Sequence, residues 1–145
     1  MDMSKKEYGQ MVKRASPNSR LAANCAKAFV VGGAICTFGQ MLYAIFGAMG
    51  ANRDMQGMLV AISLIFLATI ATGIGKYDDL AKFAGAGAGV PITGFANAVA
   101  APAVEFKKEG YIMGVGAKMF LIAGPVIVYG TLASMVVGFI YYFVR

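Results

Sequence analysis

Residues 83–104 read FAGAGAGVPITGFANAVAAPAV, a stretch of 22 residues without a charge that four glycines and two prolines interrupt. Hydrocarbon cannot satisfy free backbone N–H and C=O groups, so an ordinary transmembrane helix is smoothly apolar. Irregular backbone persists at membrane depth only where protein covers it or where it lines a watery path. This broken segment therefore predicts a permeation or gating element, or a very tight contact between helices.

The rest of the chain has the composition of a membrane protein. It is 59% apolar and 14% charged, whereas soluble domains carry about a quarter charged residues. Three further windows lack charge, at 28–52, 55–75 and 119–144, and each exceeds the about 20 residues that a helix needs to cross a bilayer. The sequence predicts an all-α polytopic membrane protein with three to four transmembrane helices, in which residues 28–145 form the membrane domain.

Residues 1–27 form a basic N-terminal arm ahead of the first window. Six Lys and Arg against Asp2 and Glu7 give this arm +4 of the formal net charge of +6. Such an arm is typical of an anchor on the cytoplasmic side of a membrane. Because the membrane accounts for the charge, we expect no nucleic-acid partner.

The distribution of Lys and Arg bears on the topology, because these residues favour the cytoplasmic side. It places the N-terminus and the 76–82 loop inside and the loop after the first window outside. Lys107, Lys108 and Lys118 also favour the inside, which requires the broken segment to be re-entrant and the C-terminus to lie outside. The alternative is four full spans with both termini inside.

Small and polar residues recur at helical spacing in and near the broken segment. A helix that starts at Pro91, a residue suited to the first turn, places Gly89, Thr93, Asn97 and Glu105 on one face. The candidate path residues are Gln40, Gly85, Gly87, Gly89, Pro91, Thr93, Asn97 and Glu105. Helix packing explains the same stripe equally well, since Gly85 and Gly89 have GxxxG spacing. In the last window, Gly124 and Pro125 predict a kink, which we expect to serve in gating.

Residues suited to enzymatic or metal chemistry are scarce. The chain has no histidine, and its two cysteines, Cys25 and Cys36, form no CxxC pair. A metal site or a thiol redox centre is therefore unsupported, and we expect neither a cofactor nor enzymatic activity. Ser63 and Ser134 lie inside spans without a neighbouring base, so each is expected to bond its own helix backbone.

Two blocks of sequence, FVVGGAICTFGQ at 29–40 and FAGAGAGVPITGFAN at 83–97, resemble the SpoVA membrane proteins of endospore-forming bacteria. The resemblance covers nearly the whole chain. It implies a channel component in the inner spore membrane that passes dipicolinic acid, with calcium, during uptake into the forespore and release in germination. It also implies a response to membrane tension and partners among other SpoVA proteins, including the AD and AE proteins.

Two functions remain open at this point. One is a channel subunit for a small anion, which a broken helix carrying Thr93 and Asn97 would suit. The other is a non-conducting membrane scaffold that docks other SpoVA proteins. Since three or four spans are too few to enclose a path for dipicolinate, we expect an oligomer in the lipid bilayer.

Overall fold

A computed structural model describes residues 5–15 and 19–144 of the chain. Its regular elements in these residues are all helical, which confirms the predicted all-α class. The α-helices are α1 Lys5–Ala15, α2 Leu21–Ala48, α3 Arg53–Gly73, α4 Lys76–Ala84, α5 Ala86–Gly89, α6 Ile92–Glu105 and α7 Ala117–Val144. A 3-10 turn, Phe106–Glu109, and a π-helical turn, Tyr111–Gly116, join α6 to α7.

Within the described part of the chain, three helices are long and apolar enough to cross a membrane: α2, α3, and α7 together with the π-helical turn before it. The helix α6 has 14 residues, and at 1.5 Å per residue it rises about 21 Å, short of the ~30 Å hydrocarbon core. The broken segment therefore supplies no fourth continuous span. The helix α2 begins at Leu21, so the last seven residues of the predicted arm, 21–27, lie in a helix.

The first two spans form a tight hairpin. The turn between them contains Gly50 at φ +89°, a conformation that glycine adopts without steric cost. Asn52 then caps α3, because its side-chain oxygen accepts a hydrogen bond of 2.9 Å from the N–H of Met55. Deeper in the pair, Gly39 is buried, and a Cβ built on it would lie 3.5 Å from Leu64. Small residues on α2 thus let α3 approach closely.

We expect Asn52→Ala to destabilise the hairpin by about 1 kcal/mol, because the first turn of α3 loses its side-chain acceptor. Thermal unfolding of the purified protein in detergent measures the effect. Asn52→Asp is the matched control, since aspartate caps a helix as well as asparagine does. Equal melting temperatures for Asn52→Ala and the unaltered chain would show that the cap contributes nothing.

The broken segment contains two sharp interruptions. The first is at Gly85, which has φ +54° and separates α4 from α5. The second is at Val90 and Pro91, where Pro91 is extended (φ −61°, ψ 167°) and α6 begins at the next residue. The helix α5 then packs on α2, while α6 packs mainly on α3 and also on α7. The predicted break inside the segment is therefore present, and Pro91 immediately precedes its longest helix.

The core is small and lies where α3, α4, α5 and α6 meet. Its buried residues are Ala68, Tyr77, Ala84, Ala88 and Ala96. Four of these five are alanines, so the helices approach each other with little side-chain volume between them. Close approach of this kind is typical of helix packing in lipid, where van der Waals contact and hydrogen bonds hold helices together.

The last helix, α7, is buried only near its start. Ala123 is buried, but every residue from Pro125 to Val144 is exposed. The helix continues through Gly124 and Pro125, so the gating role expected of this pair stays a prediction. Ser134 donates a hydrogen bond to the Gly130 carbonyl on its own helix, and Ser63 does the same to Leu59, as predicted.

Candidate functional site

The helix α5 sits directly against the backbone of α2. A Cβ built on Gly87 would lie 2.3 Å from the carbonyl oxygen of Ala28 and 2.7 Å from its Cα. On the other side of the contact, a Cβ on Gly32 would lie 3.4 Å from the carbonyl oxygen of Gly87. Only a glycine at position 87 permits this separation. The sequence singled out Gly87 for a path, whereas the structure places it in a contact between two backbones.

Gly85 and Gly89 do not make the contact that their GxxxG spacing suggested. Nothing lies within 4 Å of a Cβ built on either residue. Gly87, which lies between them, is the residue that contacts α2. Gly89 also belongs to α5, so the expectation that it shares a face of one helix with Thr93 and Asn97 is wrong. The chain leaves helical geometry at Val90 and Pro91 before α6 begins.

A buried tyrosine holds the other side of α5. Tyr77 is 4% exposed, and its hydroxyl donates a hydrogen bond of 2.8 Å to the carbonyl oxygen of Ala88. A helix of four residues leaves its last carbonyl groups without intrahelical partners, so this bond satisfies a backbone group that would otherwise be buried and free. Tyr77 is not among the residues predicted from the sequence. The available signal was the spacing of Tyr77, Ala81 and Ala84, which forms the apolar face of an otherwise charged α4.

The start of α6 is shaped by a second close backbone contact. A Cβ on Gly94 would lie 2.2 Å from the carbonyl oxygen of Gly89, so α6 folds back tightly against the end of α5. Pro91 gives α6 no side-chain cap, and the first backbone bond runs from the N–H of Gly94 to the carbonyl of Pro91 at 2.8 Å. The N–H groups of Ile92 and Thr93 precede it, and they form the positive end of the helix dipole.

Thr93 lies in this first turn with an unsatisfied hydroxyl. It is 7% exposed, and its Oγ1 is buried without a hydrogen-bond partner. Leaving a buried polar group unpaired costs about 1–3 kcal/mol, so such a group requires an explanation. Because a Cα–Cβ bond tilts toward the N-terminus of its helix, the Thr93 side chain belongs to the same end of α6 as the free N–H groups.

Asn97 lies one turn after Thr93 and connects α6 to α3. Its Oδ1 is 2.8 Å from the hydroxyl of Thr72, which is also 2.8 Å from the Ala68 carbonyl oxygen. The single hydroxyl proton serves either acceptor. With the Asn97 amide turned over, Nδ2 donates to Thr72 while Thr72 donates to Ala68, and all three groups are satisfied. This is the interhelical role that packing alone predicts for Asn97.

Thr93 faces an open groove of about 470 Å³ between α2, α3 and α4. Its polar lining side chains are Thr93 and Tyr77, and the others are Val30, Val31, Ala34, Ile35, Phe38, Leu64, Leu67, Ala68, Ala71 and Leu80. A second groove of about 520 Å³ runs between α3 and α6, with Met119 at its edge. Both grooves are mainly apolar, so within a single protomer the polar groups of the break lie among apolar walls.

The remaining predicted residues are spread over the protomer. Glu105 is exposed at the end of α6, and Gln40 is exposed on α2 next to the buried Gly39. Gly124 and Pro125 lie on α7, after its buried Ala123. The structure therefore brings together Gly85, Gly87, Gly89, Pro91, Thr93 and Asn97. It leaves Gln40, Glu105 and the α7 pair outside this cluster.

Metal-binding groups are not clustered in the described residues, where no three His, Cys, Asp or Glu side chains come together. Cys25 and Cys36 are both free thiols and exposed. The arrangement at the break thus offers backbone N–H groups, one hydroxyl and one amide. These groups can bind or guide a polar solute.

Comparison with known proteins places the chain in a family. The family described as SpoVAC/SpoVAEB sporulation membrane protein matches residues 24–140. The chain belongs to the SpoVAC/SpoVAEB family. It is similar to stage V sporulation protein AC of Bacillus subtilis (strain 168), with 44% identity over 137 residues that cover 94% of this chain and 91% of that protein. No solved structure matches the chain.

Membership in the SpoVAC/SpoVAEB family confirms the resemblance seen in the sequence and establishes a sporulation membrane protein. The matched range 24–140 contains α3 to α6 entirely and most of α2 and α7. It therefore includes the whole broken segment, and α1 lies before it.

Proposed function

We propose that this SpoVAC/SpoVAEB protein is a channel subunit that passes dipicolinic acid, with calcium, across the inner spore membrane. In this role it serves uptake during sporulation and release during germination. The observation that carries the proposal is the Thr93 hydroxyl, buried and unpaired at the uncapped start of α6. The oxygen is inaccessible in this conformation, so in this proposal a passing solute or its water becomes its partner when the break opens.

The chemistry of the break suits a carboxylate. Uncapped N–H groups at a helix N-terminus bind anions, because they donate hydrogen bonds to the anion and the helix dipole attracts its negative charge. The Thr93 hydroxyl adds one donor in the same turn. A path made of such weak, neutral donors lets an anion bind and leave, which conduction requires. The net charge of +6 further favours an anionic solute over a cation alone.

An assembly of several chains encloses the path in this proposal. The groove beside Thr93 is open, and α7 is exposed from Pro125 to Val144. Further copies of this chain, or other SpoVA proteins such as AD and AE, close the groove and cover α7. Lipid covers the surfaces that remain.

Membrane tension would act on the broken segment through the contacts that hold α5 in place. The helix α5 is held by its contact with Ala28 and by the Tyr77 hydrogen bond. Stretching a bilayer thins it and draws helices apart laterally. Since α5 is one turn long and lacks a continuous helix to either side, it separates from α2 more easily than α3 does.

Asn97→Leu provides the direct test of a conducting role. We expect the flux of dipicolinate from liposomes under osmotic downshift to fall about tenfold, which corresponds to about 1.4 kcal/mol. The variant loses the amide that links α6 to α3 through Thr72, one turn after Thr93, and puts an apolar side chain in its place. Thr37→Val is the matched control, because the Thr37 hydroxyl bonds only to Gly33 of its own exposed helix face. Unchanged flux in Asn97→Leu, with the protein folded, would argue strongly against the path.

A non-conducting scaffold is the second candidate, and it is favoured by the basic arm and the exposed α7. In that case removal of residues 1–20 abolishes co-purification with other SpoVA proteins, while Asn97→Leu has no effect. A truncated chain that still recovers all of its partners would exclude the scaffold. The two functions therefore predict opposite results for the same pair of variants.

A further inference from the structure

A separate pocket lies at the outer edge of the broken segment, between the start of α2 and the junction of α4 with α5. Its volume is about 280 Å³, and it is lined by Asn24, Cys25, Ala28, Lys82, Phe83, Ala84, Gly85 and Ala86. Unlike the two apolar grooves, it contains a charged side chain and an amide, and it also has the aromatic ring of Phe83. Its lining includes Gly85, the interruption that precedes α5.

The positive charge in the pocket is available to a ligand. Lys82 forms an ion pair with Asp78 one turn earlier, and both side chains are about 70% exposed, at 71% and 68%. A solvent-exposed pair of this kind is weak, so Lys82 can exchange its partner for another anion. The hydrogen bond and charge of Asp78, and more weakly Asp79, raise the pKa of Lys82 above its ordinary 10.5. The ammonium group is therefore charged at neutral pH.

A second cation and an aromatic face lie beside Lys82. Phe83 is 56% exposed, and the Lys27 Nζ lies 4.9 Å from the centre of its ring. An exposed aromatic ring stacks with another flat π-system in an offset arrangement. Asn24, one turn before Ala28 on α2, contributes an amide that can donate to a carboxylate or to a ring substituent.

We propose that this pocket binds a small planar aromatic carboxylate at the mouth of the path. The ring of the ligand stacks on Phe83, and its carboxylate pairs with Lys82. The positive charge of Lys27 further attracts the carboxylate. The inference rests on the proposed function, because dipicolinate is the solute of this class that the channel would carry. The pocket then concentrates the solute beside Gly85, at the start of the segment that leads to Thr93.

The same charges would accept a phosphate, whether free or in a lipid headgroup. The aromatic face distinguishes dipicolinate from either form of phosphate, since phosphate has no ring to stack on Phe83. Titration calorimetry of the full-length protein in nanodiscs of zwitterionic lipid therefore uses two probes, dipicolinate and inorganic phosphate. We expect dipicolinate to bind at least about threefold more tightly, the difference that one stacking contact supplies.

Variants of the pocket test the residue assignments. We expect Lys82→Gln to weaken dipicolinate binding about tenfold, because it removes a charge-assisted bond and leaves Asp78 facing the ligand. Phe83→Leu should weaken it about threefold and leave phosphate binding unchanged. Lys76→Gln is the control: this lysine is on the same helix and exposed but lies outside the pocket. Lys82→Arg keeps the charge and should retain binding.

Each result decides the inference. Absence of dipicolinate binding, or equal affinity in Lys82→Gln and Lys76→Gln, would overturn it. Phosphate that binds as tightly as dipicolinate would assign the pocket to phosphate instead. Flux in liposomes separates this inference from the proposed function: flux without pocket binding rejects only the pocket, and binding without flux rejects the channel.

Discussion

Gly87→Ala should dislodge α5 from α2 and lower the stability of the whole membrane domain. The added methyl group would lie 2.3 Å from the carbonyl oxygen of Ala28, an atom of helical backbone that cannot rotate away. Overpacking of this kind typically costs about 1–3 kcal/mol, which corresponds to a fall in melting temperature of roughly 5 °C for a chain of this size. Thermal unfolding in detergent, monitored by helical circular dichroism, measures it.

Gly89→Ala is a closely matched control, because it adds the same methyl group two residues later in the same turn. Nothing lies within 4 Å of that methyl group, and Gly89 has no positive φ. Its melting temperature should therefore stay within about 1 °C of the unaltered chain. Equal stability of the two variants would mean that α5 does not rest on α2 as described.

Thr93→Val should make the protein more stable and less active at once. Valine has the shape of threonine without the hydroxyl, so it removes the cost of a buried, unpaired oxygen, about 1 kcal/mol. If that hydroxyl serves the solute, its loss should reduce dipicolinate flux about tenfold, or about 1.4 kcal/mol. Melting temperature and liposome flux are measured on the same preparation.

Thr93→Ser supplies the comparison, since it keeps the hydroxyl and removes only a methyl group. Its flux should remain close to that of the unaltered chain, and its stability should fall slightly because a methyl group is lost from a buried site. A stabilised Thr93→Val with full flux would show that the hydroxyl has no part in transport. That result would remove the main support for the proposed path.

Much of the fold follows from the sequence because the bilayer imposes simple requirements. A helix in hydrocarbon must be about 20 residues long and free of charge, and the windows at 28–52, 55–75 and 119–144 each coincide with most of one span. The interruption before α6 was also predictable. Proline at position 91 fixes φ and lacks an N–H, so a helix that includes it begins there.

The side of α5 that faces α2 was not predictable. Gly85, Gly87 and Gly89 alternate with alanines, so helical spacing alone marks the GxxxG pair and passes over Gly87. Which of the three glycines faces α2 depends on the φ of +54° at Gly85 and on the hydrogen bond from Tyr77 to Ala88. Both are tertiary features. The unpaired state of Thr93 likewise depends on neighbours from three other helices, which no local pattern reveals.

The exposed part of α7 has a mechanical consequence. Twenty residues, from Pro125 to Val144, project beyond the buried Ala123, and at 1.5 Å per residue they extend about 30 Å. The buried Ala123 lies in the second turn of the helix, which packs on α6. We therefore expect a sideways force on the far end of α7 to turn the helix about this buried part and so to reach α6, which carries Thr93 and Asn97.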